Sequence, residues 1–343
     1  MADTLQTVAL IVLAQKYKSE VFRQVNRTSA LAKMLPLVRG EGKNLAFAVS
    51  NIGAIAETYA EGADPTNFGS DAQEAAVLNW AQYWSPFHIS GLAQAAAATS
   101  GSPAGNVSMW AKNLLDSASA LGSKINSELY VGPGTSRTIA GLDVAIGTTG
   151  NTYAGINRAS STYFNPNLFN AAGPATTLSF AQVRGDMQAI YVASGYLPDV
   201  AMVHPNVLLK MAGLFDPQKQ YLFETTRDVT SAGGSFKLEG GIGGIRFDGC
   251  VFVADKDATD GKIYYLNTQK IHLETLPMDL SVIPGMDDEL MQIVGNDGFG
   301  PLPLGFQLKM LGTTGDSDKA FMKSYLQLCV EQPNTCGVRF NIV

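Results

Sequence analysis

Residues 102–131 read SPAGNVSMWAKNLLDSASALGSKINSELYV, and their apolar residues recur at helical spacing. Trp110, Leu114, Ala118, Leu121, Ile125 and Leu129 lie three or four positions apart, which lines one face of an α-helix. Ser108 stands where an N-cap would, and Gly132-Pro133-Gly134 stops the pattern abruptly. From Ser108 to Val131 such a helix is roughly 36 Å long at about 1.5 Å per residue. The opposite face carries Lys112, Asn113, Asp116, Ser119, Ser123, Asn126 and Ser127. The stretch predicts a long, one-sided helix laid on a sheet or another layer, a spine for the rest of the chain.

Upstream of the spine, residues 44–98 differ sharply in charge from what precedes them. No Lys or Arg occurs from Asn44 to Ala111, while Glu57, Glu61, Asp64, Asp71 and Glu74 contribute −5. NLAFAVSNIGAIAETYA and AAVLNWAQYWSPFHIS are rich in β-branched and aromatic residues, and the turn residues EGADPTNFGSD separate them. The pattern predicts a long β-hairpin, with Pro86 confining its segment to a sheet edge. An isolated two-stranded ribbon is marginal in water, so it is expected to lie on another surface, such as a second subunit. Residues 1–43 begin with a helical pattern that Pro36 breaks. Lys16, Lys18, Arg23, Arg27, Lys33, Arg39 and Lys43 give +7 against Asp3, Glu20 and Glu41, a net +4. This arm fits both a solvated helix face and an arm that docks on an acidic partner.

Downstream, Gly-rich turns lead to YAGINRASSTYF, and from Leu178 the pattern becomes α/β. SFAQVRGDMQAIYVASG predicts a helix with Phe180, Val183, Met187, Ile190 and Tyr191 on one side, closed by Gly195. YLPDVAMVHP predicts a buried strand and NVLLKMAGLF a short helix. A Gly-rich region leads into the strand CVFVAD, the acidic turn KDATDGK and the strand IYYLN. KIHLETLP and DLSVIPG are strand-like, and KSYLQLCVEQPNTCGVRFNIV predicts paired strands around a turn at Pro333-Asn334. There is no internal repeat or heptad tract.

The totals narrow the function. At 343 residues the chain holds more than one core. Only 16% of residues are charged and 35 are Gly, which suits a surface largely covered by neighbours or a Gly-rich β protein. The net charge of −6 argues against a nucleic-acid binder that works by phosphate neutralisation. Cys250, Cys329 and Cys336 are too few and too scattered for a disulfide framework, which fits a reducing compartment. The beginning of the chain has neither a basic n-region nor a membrane-length apolar run, so no signal peptide, membrane span or N-terminal processing is expected.

Chemical motifs are sparse. His88, His204 and His272 are the histidines, and no GxSxG elbow accompanies them. No CxxC or HExxH spacing occurs, so no metal site is expected. Asp255, Asp257 and Asp260-Gly261 lack calcium-loop spacing and its terminal Glu. Gly240-Gly241-Ile242-Gly243-Gly244 runs into Ile245-Arg246-Phe247, a strand rather than a helix, which removes a dinucleotide reading. No catalytic or cofactor-binding residue and no cofactor is assigned.

The order of these elements resembles the major capsid protein of tailed bacteriophages, the Hong Kong 97 fold family. The basic arm, acidic hairpin and spine helix resemble that family's N-arm, extended loop and long helix. YAGINR at 153–158 is similar to a recurrent GIxR-type element, and YLPDVAMVHPNVLLKM to its strand-then-helix axial segment. FDGCVFVADKDATDGKIYYLN resembles the strands returning from the axial domain, and EQPNTCGVRFNIV the closing strand and Pro turn.

The resemblance implies an α+β fold with five parts. They are an N-terminal arm (1–43), an extended loop (44–98), a peripheral domain with the spine (99–170), an axial α/β domain (171–262) and return strands (263–343). It implies a non-enzymatic structural protein that self-assembles into an icosahedral head enclosing double-stranded DNA. Such a protein forms hexamers and pentamers, is assembled in the bacterial cytoplasm and resides in the virion. It touches no membrane and reads no DNA sequence, and a near-neutral lining suits packing and ejection of DNA.

Portal and decoration proteins are implied partners. Because about 43 residues precede the hairpin, a separate scaffolding protein is expected in place of a cleaved N-terminal segment. Some members weld a loop Lys to a neighbour's Asn; the loop here has no lysine beyond Lys43 at its base, so no such weld is expected. Expected subunit contacts are Glu57, Glu61, Asp64, Asp71 and Glu74 against Arg23, Arg27 and Arg39. Trp80, Tyr83 and Trp84 are expected to supply apolar binding energy. The alternatives are an encapsulin-like nanocompartment shell, and a hydrolase in which His204 or His272 shares a pocket with Ser, Cys or a carboxylate.

Overall fold

A computed structural model describes residues 30–51, 58, 61–62, 64, 72–92, 104–135, 137–215, 228–231, 234–237, 244–276, 305–311 and 316–343. The chain begins with α1 (Ala30–Met34), β1 (Leu37–Arg39), β2 (Asn44–Asn51), β3 (Ala72–Asn79) and β4 (Ala81–Ser90). The spine helix α2 (Ala104–Val131), the short α3 (Leu142–Ala145), β5 (Thr152–Tyr153), β6 (Ile156–Asn157) and β7 (Asn167–Phe169) follow. Next come α4 (Phe180–Ser194), β8 (Val200–Val203), α5 (Pro205–Phe215), β9 (Asp228–Ser231), β10 (Gly234–Lys237), β11 (Ile245–Phe247) and β12 (Cys250–Ala254). The remainder is β13 (Ile263–Leu266), β14 (Ile271–Thr275), β15 (Gln307–Leu311), β16 (Ser317–Val330) and β17 (Gly337–Arg339).

The spine helix has 28 residues, about 42 Å at 1.5 Å per residue. It starts at Ala104, four residues before the expected cap at Ser108, and ends where Gly132 and Pro133 forbid continuation. Leu114, Ala118, Leu121, Ile125 and Leu129 are all buried, as their spacing predicts. The helix is less one-sided than expected: Ser117, Asn126 and Glu128 are buried as well. Asn126, placed on the solvent face by spacing alone, donates from Nδ2 to Asp255 Oδ1 at 3.1 Å and to Asp257 Oδ2 at 2.6 Å. The polar flank is covered because a buried carboxylate from the β12–β13 turn supplies a partner.

Two sheets flank this helix. In the first, β14 lies between β1 and β16, while the 14-residue β16 also pairs with β15 and β4. In the second the order is β11-β12-β8-β13-β17-β7, with parallel pairs β12–β8 and β17–β7. β8 and β13 are buried along their whole length, which explains their unbroken apolar runs VAMV and IYYL. Val200, Met202, Tyr264 and Leu266 face the spine core, whereas Ala201, Val203, Ile263 and Tyr265 face a second core under α4 and α5. Asp186 on α4 accepts from Arg339 Nε at 2.5 Å, Arg339 Nη2 at 2.6 Å and Tyr265 Oη at 3.1 Å, tying that helix to the sheet. α4 opens with a Ser179–Gln182 capping box and closes on Gly195 at φ 77°, a left-handed turn that glycine adopts without strain. Tyr191, expected on the inner side, is half-exposed.

Two expectations about strands are corrected. The second arm of the hairpin divides at Trp80: β3 pairs with β2, but β4 leaves the hairpin and joins β16. β4 pairs with β16 alone among the described residues, so Pro86 does stand on an edge. The final segment does not fold back on itself. β16 ends in the first sheet, a 3-10 turn at Pro333–Thr335 redirects the chain, and β17 enters the second sheet beside β13. β13 is central in that second sheet. DLSVIPG lies outside the described residues.

Candidate assembly surface

The predicted contact residues separate into three groups. Arg23, Arg27, Glu57 and Asp71 lie outside the described residues. Glu61, Asp64, Arg39 and Trp84 are exposed. Glu74 and Trp80 are engaged within the chain: the Ser161 hydroxyl donates to Glu74 Oε1 at 2.7 Å, fastening β3 to the segment after β6.

The aromatic residues around the start of β4 correct one expectation. Trp80 is only 6% exposed, and its indole N–H donates to Gly42 O at 3.1 Å. Its ring lies against Gly40, where a Cβ would fall 2.2 Å from the ring, so the glycine makes room for the indole. Tyr83 is buried too: its hydroxyl donates to Glu128 on the spine and accepts from the Ile139 N–H at 3.0 Å. Burial, reinforced by the Glu128 carboxylate, raises the phenol pKa well above its usual value. Both side chains therefore anchor the start of β4 within its own chain. Trp84 is different, at 70% exposure with its ring edge-on to Phe321 at 5.9 Å. Alternation explains the split: Ala81 and Tyr83 point inward, Gln82 and Trp84 outward. Trp80 and Ala81 are adjacent and both buried, and that break in alternation marks where hairpin becomes edge strand.

The hydrolase alternative required a histidine beside a nucleophile or carboxylate. His204 Nδ1 lies 3.5 Å from Asp260 Oδ1 and accepts from the Asn206 N–H at 3.3 Å, in a surface turn with no serine or cysteine partner shown. His272 Nε2 is 3.0 Å from Glu274 Oε1, and its neighbour across the ladder is Cys329. That thiol is 1% exposed, and burial followed by Glu274 and Glu331 pushes its pKa far up, the opposite of an activated thiolate. Burial likewise pushes the Cys336 thiol up to about 11. A cleft lined by Phe47–Ser50, Tyr163, Phe164 and Glu331–Asn334 contains neither histidine nor cysteine. Among the described residues, His272, Glu274 and Cys329 form the one cluster whose donor atoms lie close enough for metal ligation. Sequence spacing missed it because β14–β16 pairing, not a short motif, assembles it.

No protein-family model and no curated protein matches the sequence. Solved structures do. The capsid asymmetric unit of cyanophage A-1(L) aligns with TM-score 0.68 and 17% identity, over 92% of this chain and 93% of that one. The Hong Kong 97 capsid fold is the fold of this chain. The capsid of an empty GTA particle, at TM-score 0.58 and 10% identity, covers 92% of this chain and 90% of its own. The holo-SrpI encapsulin complex from Synechococcus elongatus, at TM-score 0.55 and 12% identity, covers 91% and 87%. At such identities the shared property of these capsid-fold chains is the course of the backbone. YAGINR spans the β5–β6 hairpin, whose turn uses Ala154 at φ 51° and Gly155 at φ 80°. No helix among the described residues is long and apolar enough to cross a membrane.

Proposed function

We propose that this chain is the major capsid protein of a tailed bacteriophage, many copies of which close into an icosahedral head around double-stranded DNA. The likeness to a cyanophage capsid over 92% of the chain, at TM-score 0.68, carries this reading. The low charge density and net charge of −6 support it, since a wall that gripped phosphates would resist DNA packing and ejection. In this reading α2 and the first sheet form the peripheral domain, and the second sheet with α4 and α5 forms the axial domain. The hairpin rooted in β2–β3 is the extended loop, and the residues before it are the N-arm. Hexamers and pentamers assemble in the bacterial cytoplasm with a separate scaffolding protein and a portal, and the mature shell accepts decoration proteins. The role is structural, with no reaction catalysed.

The acid loop carrying Glu57, Glu61, Asp64 and Asp71 crosses a neighbour's Arg23, Arg27 and Arg39. Trp84 supplies an apolar anchor beside that contact. Complementary charge fixes register and partner choice more than it adds affinity. Reversing Glu57, Glu61 and Asp64 to Lys is expected to leave the unassembled subunit within about 0.5 kcal/mol of its original stability, as for surface substitutions. The yield of closed shells in electron micrographs should nevertheless fall sharply. Normal shells from the reversed chain would show that the acidic loop only keeps the exterior soluble.

An encapsulin-like compartment is the second reading, favoured by the likeness to the Synechococcus elongatus complex at TM-score 0.55. Mass spectrometry of purified shells separates the two: packaged DNA supports the phage head, and a co-purifying cargo enzyme in DNA-free shells supports the compartment.

A further inference from the structure

We infer that His272, Glu274 and Cys329 form a zinc-type transition-metal site that staples β14 to β16. His272 and Glu274 are two residues apart on β14, so their side chains share a face of the sheet. Cys329 lies directly opposite His272 in the antiparallel ladder and therefore shares that face. The imidazole nitrogen, one carboxylate oxygen and the sulfur all lie within 4.8 Å of one another. Tetrahedral ligation at about 2.0 Å to N and O and 2.3 Å to S separates donors by about 3.3–3.6 Å. Small side-chain rotations close that gap.

The surroundings fit a cation better than they fit the bare side chains. Two carboxylates, Glu274 and Glu331, face a sulfur that is almost wholly buried. Glu331 Oε1 stands 3.9 Å from His272 Nδ1, on the ring edge opposite the Nε2 that meets Glu274. Drawn in from 3.9 Å to hydrogen-bond distance, that carboxylate would take the usual supporting place on the far nitrogen of a metal-bound histidine and fix the tautomer that leaves Nε2 free to ligate. A soft sulfur, an imidazole and one carboxylate select zinc or cobalt over calcium or magnesium. On binding, the Cys329 S–H bond breaks, its proton passes to solvent and an S–metal bond forms, with no change of oxidation state. Water completes the fourth position. The partly exposed His272 and Glu274 leave that side open, at 13% and 18% side-chain exposure.

The staple would hold β14, which also carries β1, against the strand that delivers the chain to the second sheet. The test is titration of the metal-free full-length chain with Co2+ alone, then Zn2+ alone. The expected results are a sulfur-to-cobalt charge-transfer band, displacement of that band by Zn2+, and a higher thermal midpoint with either metal. Cys329→Ser should abolish the band, whereas Cys250→Ser and Cys336→Ser should retain it. Glu331→Gln should weaken binding by about 10- to 100-fold without removing the band. X-ray absorption at the zinc edge of the unmutated protein gives a reading independent of whether the Ser variant folds, and one sulfur with nitrogen and oxygen ligands is expected. No binding, or a bound metal with no sulfur in its shell, would overturn the site.

Discussion

Replacing Arg158 with Ala is expected to destabilise the unassembled subunit by about 3 kcal/mol or more, read from the urea midpoint at constant slope. Arg158 is 0% exposed. Its Nη2 donates to Ala145 O at 2.5 Å, and its Nη1 to Thr148 O at 3.1 Å, Val144 O at 3.3 Å and Asn151 Oδ1 at 3.3 Å. The guanidinium thus gathers the carbonyls at the end of α3 and the loop after it. It also lies over the Tyr153 ring at 4.6 Å and the Phe164 ring at 5.4 Å. Carbonyl dipoles and ring faces stand where a carboxylate would be expected, and burial pulls the group's pKa down to about 10, which still leaves it charged at neutral pH. Alanine strands these buried acceptors and opens a cavity between two aromatic rings. Lysine keeps the charge but not the fork, so Arg158→Lys should recover less than half of the loss. A loss under about 1 kcal/mol for the Ala variant would contradict this role.

Asp255→Ala is expected to cost about 3–4 kcal/mol, through a different kind of junction. Asp255 is 3% exposed and accepts from the Leu31 N–H at 3.3 Å, Asn126 Nδ2 at 3.1 Å, Tyr130 Oη at 3.0 Å and the Asp257 N–H at 3.0 Å. One carboxylate therefore joins α1, the spine helix and the turn after β12. Removing it leaves an amide and a phenol buried without an acceptor. Asp255→Asn keeps the shape and one acceptor oxygen for these donors, so it should recover more than half of the loss. Asn126→Ala combined with Asp255→Ala should cost clearly less than the sum of the two, because they share one network. Strict additivity in thermal or urea unfolding would contradict the network.

These two residues also mark how much of the fold periodicity alone can reveal. The apolar stripe from Leu114 to Leu129 is legible because helix geometry converts spacing into a face, and all five stripe residues among those described are buried. Asn126 is not legible in the same way, since its burial depends on a carboxylate 129 residues away in sequence. The burial of Arg158 is likewise invisible in composition. Arg158 stands out in the sequence only as part of YAGINR, and its carbonyl partners follow from the fold of residues 144–151.

Strand partners are poorly encoded in local sequence, for a physical reason. A run such as AAVLNWAQYW has the right side chains for a strand but does not encode which strand it pairs with. β3 and β4 are therefore nearly continuous in sequence and belong to different sheets. The end of the chain posed the same problem: a hairpin and a crossing between two sheets look alike when the turn is Pro333-Asn334. At the candidate surface, composition alone does not separate the exposed Trp84 from the buried Trp80 and Tyr83. All three aromatics are of interface type, and only alternation relative to a core reveals which faces outward. No short motif links His272, Glu274 and Cys329, because ladder register brings them together.

The claim that the chain builds a shell is tested most directly by expressing it alone and with a candidate scaffolding protein, then weighing and imaging the products by light scattering and negative-stain electron microscopy. The account predicts capsomer rings or closed shells of uniform diameter. A stable monomer under every condition, with scaffold present, would contradict it.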